Sequence, residues 1–166
     1  HKQVGKIGES NTSELERIYA LKNVGQKKQS PAMTMGHSRW ATHGGVTDYN
    51  AHPHFSENQE IVVIHNGIFE NYLEIKENLL AKGHLFRSDT DTEVLAHLIE
   101  EFNKKMDFES AVKKALNIVE GRYAFLIMSQ KEDKLIAARR GSPLIIGTGE
   151  ENEFFIASDI PAFLKY

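Results

Sequence analysis

A short stretch between two glycines carries side chains that could bind a small anion. Residues 36–45 read GHSRWATHGG and hold an arginine, two histidines and two hydroxyl groups. Arg39 can hold a carboxylate through two parallel hydrogen bonds, and Thr42 and His43 can add donors beside it. Alone, each of these side chains is more often part of an ion pair or of a hydrogen-bonded loop than of a ligand site. Their combination predicts an anion-binding loop if complementary groups occur elsewhere.

Two later segments supply such groups. Asp91, in SDTDTEV, can hold an ammonium, so an aspartate facing an arginine would bind a free α-amino acid. Asn66 offers a side-chain NH2 and Gly67 a backbone N–H, and such a pair can stabilise the oxyanion that forms when an amide is attacked. Alone, Asn-Gly is most often a turn and an aspartate at this position a helix cap. Together the groups indicate amino-acid recognition and oxyanion stabilisation, without an obvious nucleophile.

A metal site is the competing interpretation of the histidines. His52 and His54, in NAHPH, have the right side chains, but the His-x-His pattern is common and a zinc site needs further ligands. His43 or His65 could supply them, although nothing in the sequence fixes their distance. We therefore predict no metal and no cofactor, and keep a histidine-ligated metal hydrolase as the less favoured alternative.

Composition limits the class of protein. The 166 residues are 40% hydrophobic and 26% charged, which is typical of one globular domain with a real core. The net charge of −3 gives no electrostatic case for nucleic acid. No apolar run approaches the roughly 18 residues that a membrane span needs. The absence of cysteine excludes disulfides within these residues and is consistent with a cytoplasmic protein.

Helical and strand patterns alternate unevenly along the chain. A capping box at residues 13–16 begins one predicted helix, and apolar residues at helical spacing predict three more, at 71–82, 92–102 and 108–119. Strands are predicted at 33–39, 61–64, 123–129, 135–139, 144–146 and 154–157, with a turn at 65–67 and a hairpin loop at 131–134. Helices in the middle and strands toward the end favour an α+β layered domain.

Four motifs in this order, GHSRWATHG, NAHPH, HNGIFEN and SDTDTEV, carry a family resemblance. They closely resemble the glutaminase domains of the glutamine–fructose-6-phosphate aminotransferases, which are class II, N-terminal-nucleophile glutamine amidotransferases. The resemblance covers about residues 5–166, including the segments at 120–124 and 138–144. It implies a four-layer αββα sandwich, with two antiparallel sheets between helical layers.

The resemblance also implies how the substrate, L-glutamine, is held. Arg39, helped by Thr42 and His43, would bind the substrate carboxylate. Asp91 would bind the substrate ammonium. These expected roles agree with the charges of the side chains.

Further residues acquire expected roles in the same way. Asn66 and Gly67 would form the oxyanion hole. Trp40 matches a tryptophan that gates the path of ammonia toward a sugar-isomerising domain. His52 would lie near the pocket, with a less defined role.

The resemblance implies the glutaminase half of an enzyme that makes glucosamine 6-phosphate and glutamate from fructose 6-phosphate and glutamine. The family's nucleophile is an N-terminal cysteine, and this sequence contains none. We therefore expect residues 1–166 to be a partial type-2 amidotransferase domain, cut at both ends, without isomerase domains and inactive alone. The parent would form homo-oligomers through the missing domains. A non-catalytic amino-acid-binding module is the alternative function.

Overall fold

The computed structural model describes residues 33–39, 44–150, 153–162 and 164. The helix predicted from the capping box at residues 13–16 lies outside these ranges.

A four-stranded antiparallel sheet is the largest element of the described chain. Its strands, in spatial order, are β1 (His54–Phe55), β2 (Ile61–Phe69), β3 (Gly121–Ser129) and β4 (Lys134–Arg140). Strands β2 and β3 pair along their full lengths, from Ile61 opposite Ser129 to Phe69 opposite Gly121. These two strands therefore fix the register of the whole sheet.

A second, two-stranded antiparallel sheet follows in the chain. It consists of β5 (Ile145–Thr148) and β6 (Phe154–Ala157), and a short 3-10 helix (Ile160–Ala162) comes after it. The presence of two antiparallel sheets together with helices confirms the predicted α+β class.

Three helices lie between β2 and β3 in the chain. They are α1 (Tyr72–Ala81), α2 (Asp91–Asn103) and α3 (Phe108–Ile118), and they confirm the three helices predicted in this region. Helix α2 packs against β2, while α1 and α3 pack against α2. Every residue of α2 from Asp91 to Glu100 is buried, so α2 is the central helix of this layer. Among the described helices, none has both the length and the apolar character needed to cross a membrane.

The core lies between α2 and one face of the sheet. Alternate residues of the two central strands and the apolar residues of α2 belong to one buried cluster, which includes Val63, Phe69, Phe125, Ile127, Val94, Leu95 and Ile99. The alternation follows from the two-residue period of a strand. Burial of each such side chain contributes about 1.5–3 kcal/mol. This packing fixes the first turn of α2 relative to β2.

The predicted turn at residues 65–67 is wrong, because β2 continues through this segment to Phe69. Gly67 pairs with Tyr123 and has a φ of 142°. A Cβ atom at this position would lie 2.1 Å from the carbonyl oxygen of Arg122. The glycine is therefore required by the close approach of the neighbouring strand.

The predicted strand at residues 33–39 is also wrong. Burial alternates along the segment as in an extended chain, but it belongs to neither sheet. Instead, the Arg39 N–H donates a 2.8 Å hydrogen bond to Nδ1 of His37, and Arg39 has a φ of 36°. A local side-chain bond thus satisfies a backbone donor that a sheet would otherwise use.

The remaining predicted strands are confirmed; β6 has the predicted bounds, and the others have shifted ends. Strand β2 extends five residues beyond the predicted end at residue 64, and β5 lies slightly later than predicted. The hairpin loop predicted at residues 131–134 connects β3 to β4, although Lys134 itself already belongs to β4.

Candidate functional site

A cleft of about 250 Å³ lies between the end of β2, the start of α2 and the segments that carry the first two sequence motifs. Five predicted site residues line it: Arg39, His52, Asn66, Gly67 and Asp91. The other three, Trp40, Thr42 and His43, lie outside the described residues. The structure therefore brings together every predicted site residue that it describes.

Asp91 is a buried carboxylate at the first position of α2 and is 4% exposed. Its Oδ2 accepts a 3.0 Å hydrogen bond from the Phe69 N–H, and its Oδ1 accepts one from the Thr92 hydroxyl at 3.2 Å. A negative charge at a helix N-terminus is stabilised by the aligned peptide dipoles. Asp91 is thus a fixed, anionic wall of the cleft.

Arg39 is the cationic group of the cleft. Its Nη1 and Nη2 donate to the carbonyl oxygens of Gly45 and Gly44, at 3.1 and 3.3 Å. The buried Asn50 donates to the same Gly45 oxygen at 3.1 Å and accepts the Asp89 N–H at 3.0 Å. These bonds connect the arginine to the segment that leads into α2.

The backbone of β2 presents donors to the cleft. The N–H groups of His65 and Phe69 point away from β3, since they donate to Nδ1 of His52 (3.3 Å) and to Asp91. Every second N–H of an antiparallel strand points to the same edge. The Gly67 N–H, midway between them, is therefore directed toward the cleft.

Asn66 adds a side-chain donor next to this backbone group. It pairs with Ala124 in the sheet, and its side chain is exposed and lines the cleft. One wall thus offers an amide NH2 and a backbone N–H from adjacent residues. Such a pair is suited to hold an oxygen that becomes negatively charged.

The tautomer of His52 follows from its hydrogen bonds. Nδ1 accepts from the His65 N–H, so the proton of the neutral ring is on Nε2. That Nε2 lies 3.3 Å from Oγ1 of Thr92, the hydroxyl that donates to Asp91. His52 therefore orients the first turn of α2 through a hydroxyl.

Burial favours the uncharged form of two imidazoles in the cleft. Desolvation, together with the neighbouring His37 and His54, lowers the pKa of His52 to about 2. Burial also lowers the pKa of His37, whose ring centroid lies 4.3 Å from that of His52. At neutral pH, His37 and His52 therefore add no charge to the cleft.

The His-x-His pair is not arranged to hold a metal. Nε2 of His54 lies 3.1 Å from Oγ1 of Thr90, and Nδ1 lies 3.5 Å from Oγ of Ser88. Both ring nitrogens of His52 have hydrogen-bond partners as well. Since these nitrogens face hydroxyls and an amide, the alternative of a metal hydrolase at this pair gains no support.

The cleft contains five further residues for which the sequence predicted no role in substrate binding: His37, His65, Ile68, Thr90 and Thr92. The sequence suggested His65 only as a possible metal ligand. His65 is buried, with Nδ1 at 3.2 Å from Oγ1 of Thr92, and its Nε2 has no partner among the described residues. The closeness of the five residues in sequence to predicted site residues could have indicated them, because they occur within or beside the same motifs.

Comparison with known proteins supports the family resemblance described above. Residues 37–165 match the family described as the glutamine amidotransferase domain. Curated relatives named glutamine–fructose-6-phosphate aminotransferase (isomerizing) are similar to the chain. The protein from Thermus thermophilus is 54% identical over 86% of the chain, and that from Sulfolobus acidocaldarius is 50% identical over 92%. The chain spans 23% and 25% of the lengths of these two relatives.

Solved structures agree with this result. The glutamine phosphoribosylpyrophosphate amidotransferase of B. subtilis, in complex with ADP and GMP, aligns with a TM-score of 0.64 and 35% identity. The alignment covers 76% of this chain and 28% of that one. A structure described as the allosteric regulatory enzyme of purine biosynthesis aligns with a TM-score of 0.65 and the same identity and coverage.

These likenesses confirm the α+β sandwich that the resemblance implies. Since the family match extends over most of the sequence, the chain belongs to the glutamine amidotransferase domain family.

Proposed function

We propose that the cleft binds the amino-acid part of L-glutamine, with Arg39 on the carboxylate and Asp91 on the ammonium. The observation that carries the proposal is that a guanidinium and a buried carboxylate, from distant segments, line one cleft of about 250 Å³. His37 and His52 have lowered pKa values and add no charge to the cleft. Arg39 and Asp91 are therefore the groups proposed to recognise the charged groups of the substrate. A cationic and an anionic side chain in one cleft complement the carboxylate and the ammonium of a zwitterionic amino acid.

We further propose that Asn66 and Gly67 stabilise the oxyanion formed at the side-chain amide of the bound glutamine. Their shared wall of the cleft supports this role. In other acyl-transfer enzymes the loss of one such donor lowers kcat about 10²–10³-fold. Because these 166 residues contain no cysteine, we expect them to bind glutamine without releasing glutamate.

The function proposed for the whole protein is the glutaminase part of a glutamine–fructose-6-phosphate aminotransferase, which makes glucosamine 6-phosphate and glutamate. Its support is the shared name of relatives that are 50–57% identical. The same proposal assigns residues 1–166 to a partial type-2 amidotransferase domain. It also places the whole protein in the cytoplasm, as a homo-oligomer that assembles through further domains.

Three residues outside the described ranges belong to this proposal. Thr42 and His43 would assist Arg39 at the substrate carboxylate, and Trp40 would gate the path of ammonia. Their support is their position within the motif that also contains Arg39.

Calorimetry with three ligands tests the binding mode. L-Glutamine should bind at least 10-fold more tightly than N-acetyl-L-glutamine, which lacks the ammonium, and than L-glutaminamide, which lacks the carboxylate. Arg39→Lys should weaken the binding of L-glutamine. It should have little further effect on the binding of L-glutaminamide, because that ligand lacks the carboxylate that Arg39 would contact. The matched control is Arg87→Lys, an exposed arginine just before α2 that does not line the cleft. Equal affinity for all three ligands would overturn the proposal.

A non-catalytic amino-acid-binding module is the second candidate, favoured by the absence of cysteine. A binding module would give the same calorimetric results. The two candidate functions differ in what they require of Asn66 and Gly67, since a binding module gains nothing from donors directed at an anionic intermediate. A glutamine analogue with an aldehyde in place of the side-chain amide reacts with an added thiol to form a tetrahedral hemithioacetal. The proposed donors would stabilise the oxygen of this adduct in the cleft. Weaker adduct formation in Asn66→Ala, with unchanged affinity for L-glutamine, supports the catalytic role.

A further inference from the structure

We propose that the protein has a structural zinc site beside α2, separate from the cleft, with Glu57, His84, His97 and Glu100 as ligands. One nitrogen or oxygen from each of the four side chains lies within 4.8 Å of the others. His84, His97 and Glu100 are buried, being 3%, 1% and 6% exposed. The sequence motifs gave no indication of this cluster.

The distances between the ligand atoms suit a tetrahedral ion. Nδ1 of His84 lies 3.1 Å from Nδ1 of His97, 3.7 Å from Oε2 of Glu100 and 3.8 Å from Oε2 of Glu57. Zinc binds nitrogen and oxygen at about 2.0–2.2 Å, so neighbouring ligands of a tetrahedral site are about 3.3–3.6 Å apart. The four atoms lie within 4.8 Å of one another, so the side chains would move inward to complete the site.

The outer nitrogens of both histidines face carboxylates. Nε2 of His84 lies 3.3 Å from Oε2 of Glu101, and Nε2 of His97 lies 3.7 Å from Oε1 of Glu93. Metal-binding histidines usually donate their second ring N–H to a carboxylate, which fixes the tautomer. When the protons are on both Nε2 atoms, the lone pairs of the two Nδ1 atoms, 3.1 Å apart, are available to one metal ion.

Two carboxylates, those of Glu57 and Glu100, lie beside His84 Nδ1. Lys82 and Lys104 lie 3.5 and 2.7 Å from Glu101, and Lys104 also interacts electrostatically with Glu57 and Glu100. A zinc ion would supply two positive charges and bind to these two carboxylates directly.

The backbone holds the ligands in place without the ion. Gly83, whose φ is 91°, follows the end of α1, and the N–H groups of Gly83 and His84 donate to the carbonyls of Leu80 (2.9 Å) and Leu79 (3.1 Å). This pair of bonds is a Schellman motif, and it fixes the residue that follows the glycine. His84 is therefore positioned by the end of α1.

Glu100 is fixed by the turn between β1 and β2. Its two carboxylate oxygens accept the N–H groups of Glu57 (3.2 Å) and Asn58 (2.9 Å). His97 and Glu100 lie three residues apart, on one side of α2. Glu57 is 43% exposed and lines a second cleft together with Glu100, so an ion has a path to the site.

The ion would join three elements: the end of α1, the middle of α2 and the β1–β2 turn. His97 lies six positions after Asp91 along α2, which corresponds to about 9 Å. The proposed site is therefore structural, and it holds the helix that presents Asp91 to the cleft.

Titration of EDTA-treated protein with Zn²⁺ and Co²⁺ tests the proposal. We expect one equivalent per chain, the strong visible absorption of tetrahedral Co²⁺ and a higher thermal midpoint with zinc. His97→Gln should abolish binding, and Glu57→Gln should weaken it at least 10-fold. The matched control is His52→Gln, a histidine of the substrate cleft, which should bind zinc as the unmodified protein does.

Glu57→Gln keeps the test decisive if His97→Gln does not fold, because Glu57 is partly exposed and lies on a turn. The proposal is overturned if the protein takes up no zinc or if Glu57→Gln binds it with unchanged affinity. The weak absorption of octahedral Co²⁺ would overturn it too.

Discussion

The N–H of Phe69 donates a 3.0 Å hydrogen bond to Oδ2 of Asp91, so the last residue of β2 holds the carboxylate that begins α2. Two residues earlier in the same strand, Gly67 directs its N–H to the same edge. The donor proposed for the oxyanion and the acceptor proposed for the ammonium are therefore set at a fixed separation by one strand. The proposed substrate recognition and the proposed oxyanion stabilisation therefore depend on the same strand.

Asp91→Asn should reduce the affinity for L-glutamine about 30-fold or more. It removes the charge but keeps the size of the side chain, and loss of one partner of a buried charge pair costs about 2–5 kcal/mol. Calorimetry measures the change. Asp89→Asn makes the same change at an exposed residue of the same loop and should leave affinity unaltered. Equal losses in the two variants would contradict the assignment.

Gly67→Ala should lower the free energy of unfolding by about 2–5 kcal/mol. The added Cβ would lie 2.1 Å from a backbone oxygen of Arg122, and the φ of 142° is unfavourable for alanine. Denaturant unfolding gives the value. Gly36→Ala, where nothing lies within 4 Å of the new Cβ, should cost less than about 1 kcal/mol. Similar costs at both positions would show that the strand contact is unimportant.

Stability should fall as the pH drops below about 6.5. The pKa of His52 is about 2 in the folded protein and near 6.5 when unfolded, so the unfolded state binds more protons between these values. The contribution is fully present above pH 6.5 and is lost at about 1.4 kcal/mol per pH unit below it. Urea unfolding between pH 7 and pH 5 measures the slope, which His52→Gln should reduce. The groups facing His52 are His37, His54, His65 and Arg39. An identical slope in the variant would show that the effect arises elsewhere.

Glu93→Gln should destabilise the protein by about 2–4 kcal/mol. Its carboxylate accepts hydrogen bonds from the Arg87 N–H (2.9 Å), the Ser88 N–H (2.7 Å) and the Ser88 hydroxyl (2.6 Å). Hydrogen bonds to a charged group contribute about 1.5–3 kcal/mol each, and an amide replaces one acceptor with a donor. Unfolding in EDTA isolates this effect from metal binding. Glu77→Gln, at an exposed position of α1, is the control and should change stability by less than about 0.5 kcal/mol.

Much of the fold was predictable because its helices have a clear apolar period. The stripe of Val94, Leu95, Leu98 and Ile99 predicted α2, and these residues are all buried. The turn predicted at Asn66-Gly67 failed for a different reason. Local preference favours a turn there, but pairing with a strand more than fifty residues later overrides it.

The site was predictable where residues of complementary charge occur in motifs. Arg39 and Asp91 were expected to face one cleft, and they line one, while their roles in binding stay predictions. The cluster at His84 and His97 was not predictable in this way. The two histidines are separated by thirteen residues and a helix start, so only the folded end of α1 brings them together.

The pairing of β2 with β3 has a consequence for synthesis of the chain. The three described helices lie between these strands, so β2 has only the two-residue strand β1 as a partner until residues 121–129 leave the ribosome. At about 5–20 residues per second, that interval lasts several seconds. Helices form locally in microseconds, whereas contacts between distant segments come late. During translation, therefore, the side of β2 that later pairs with β3 is an unprotected apolar edge that other nascent chains could pair with.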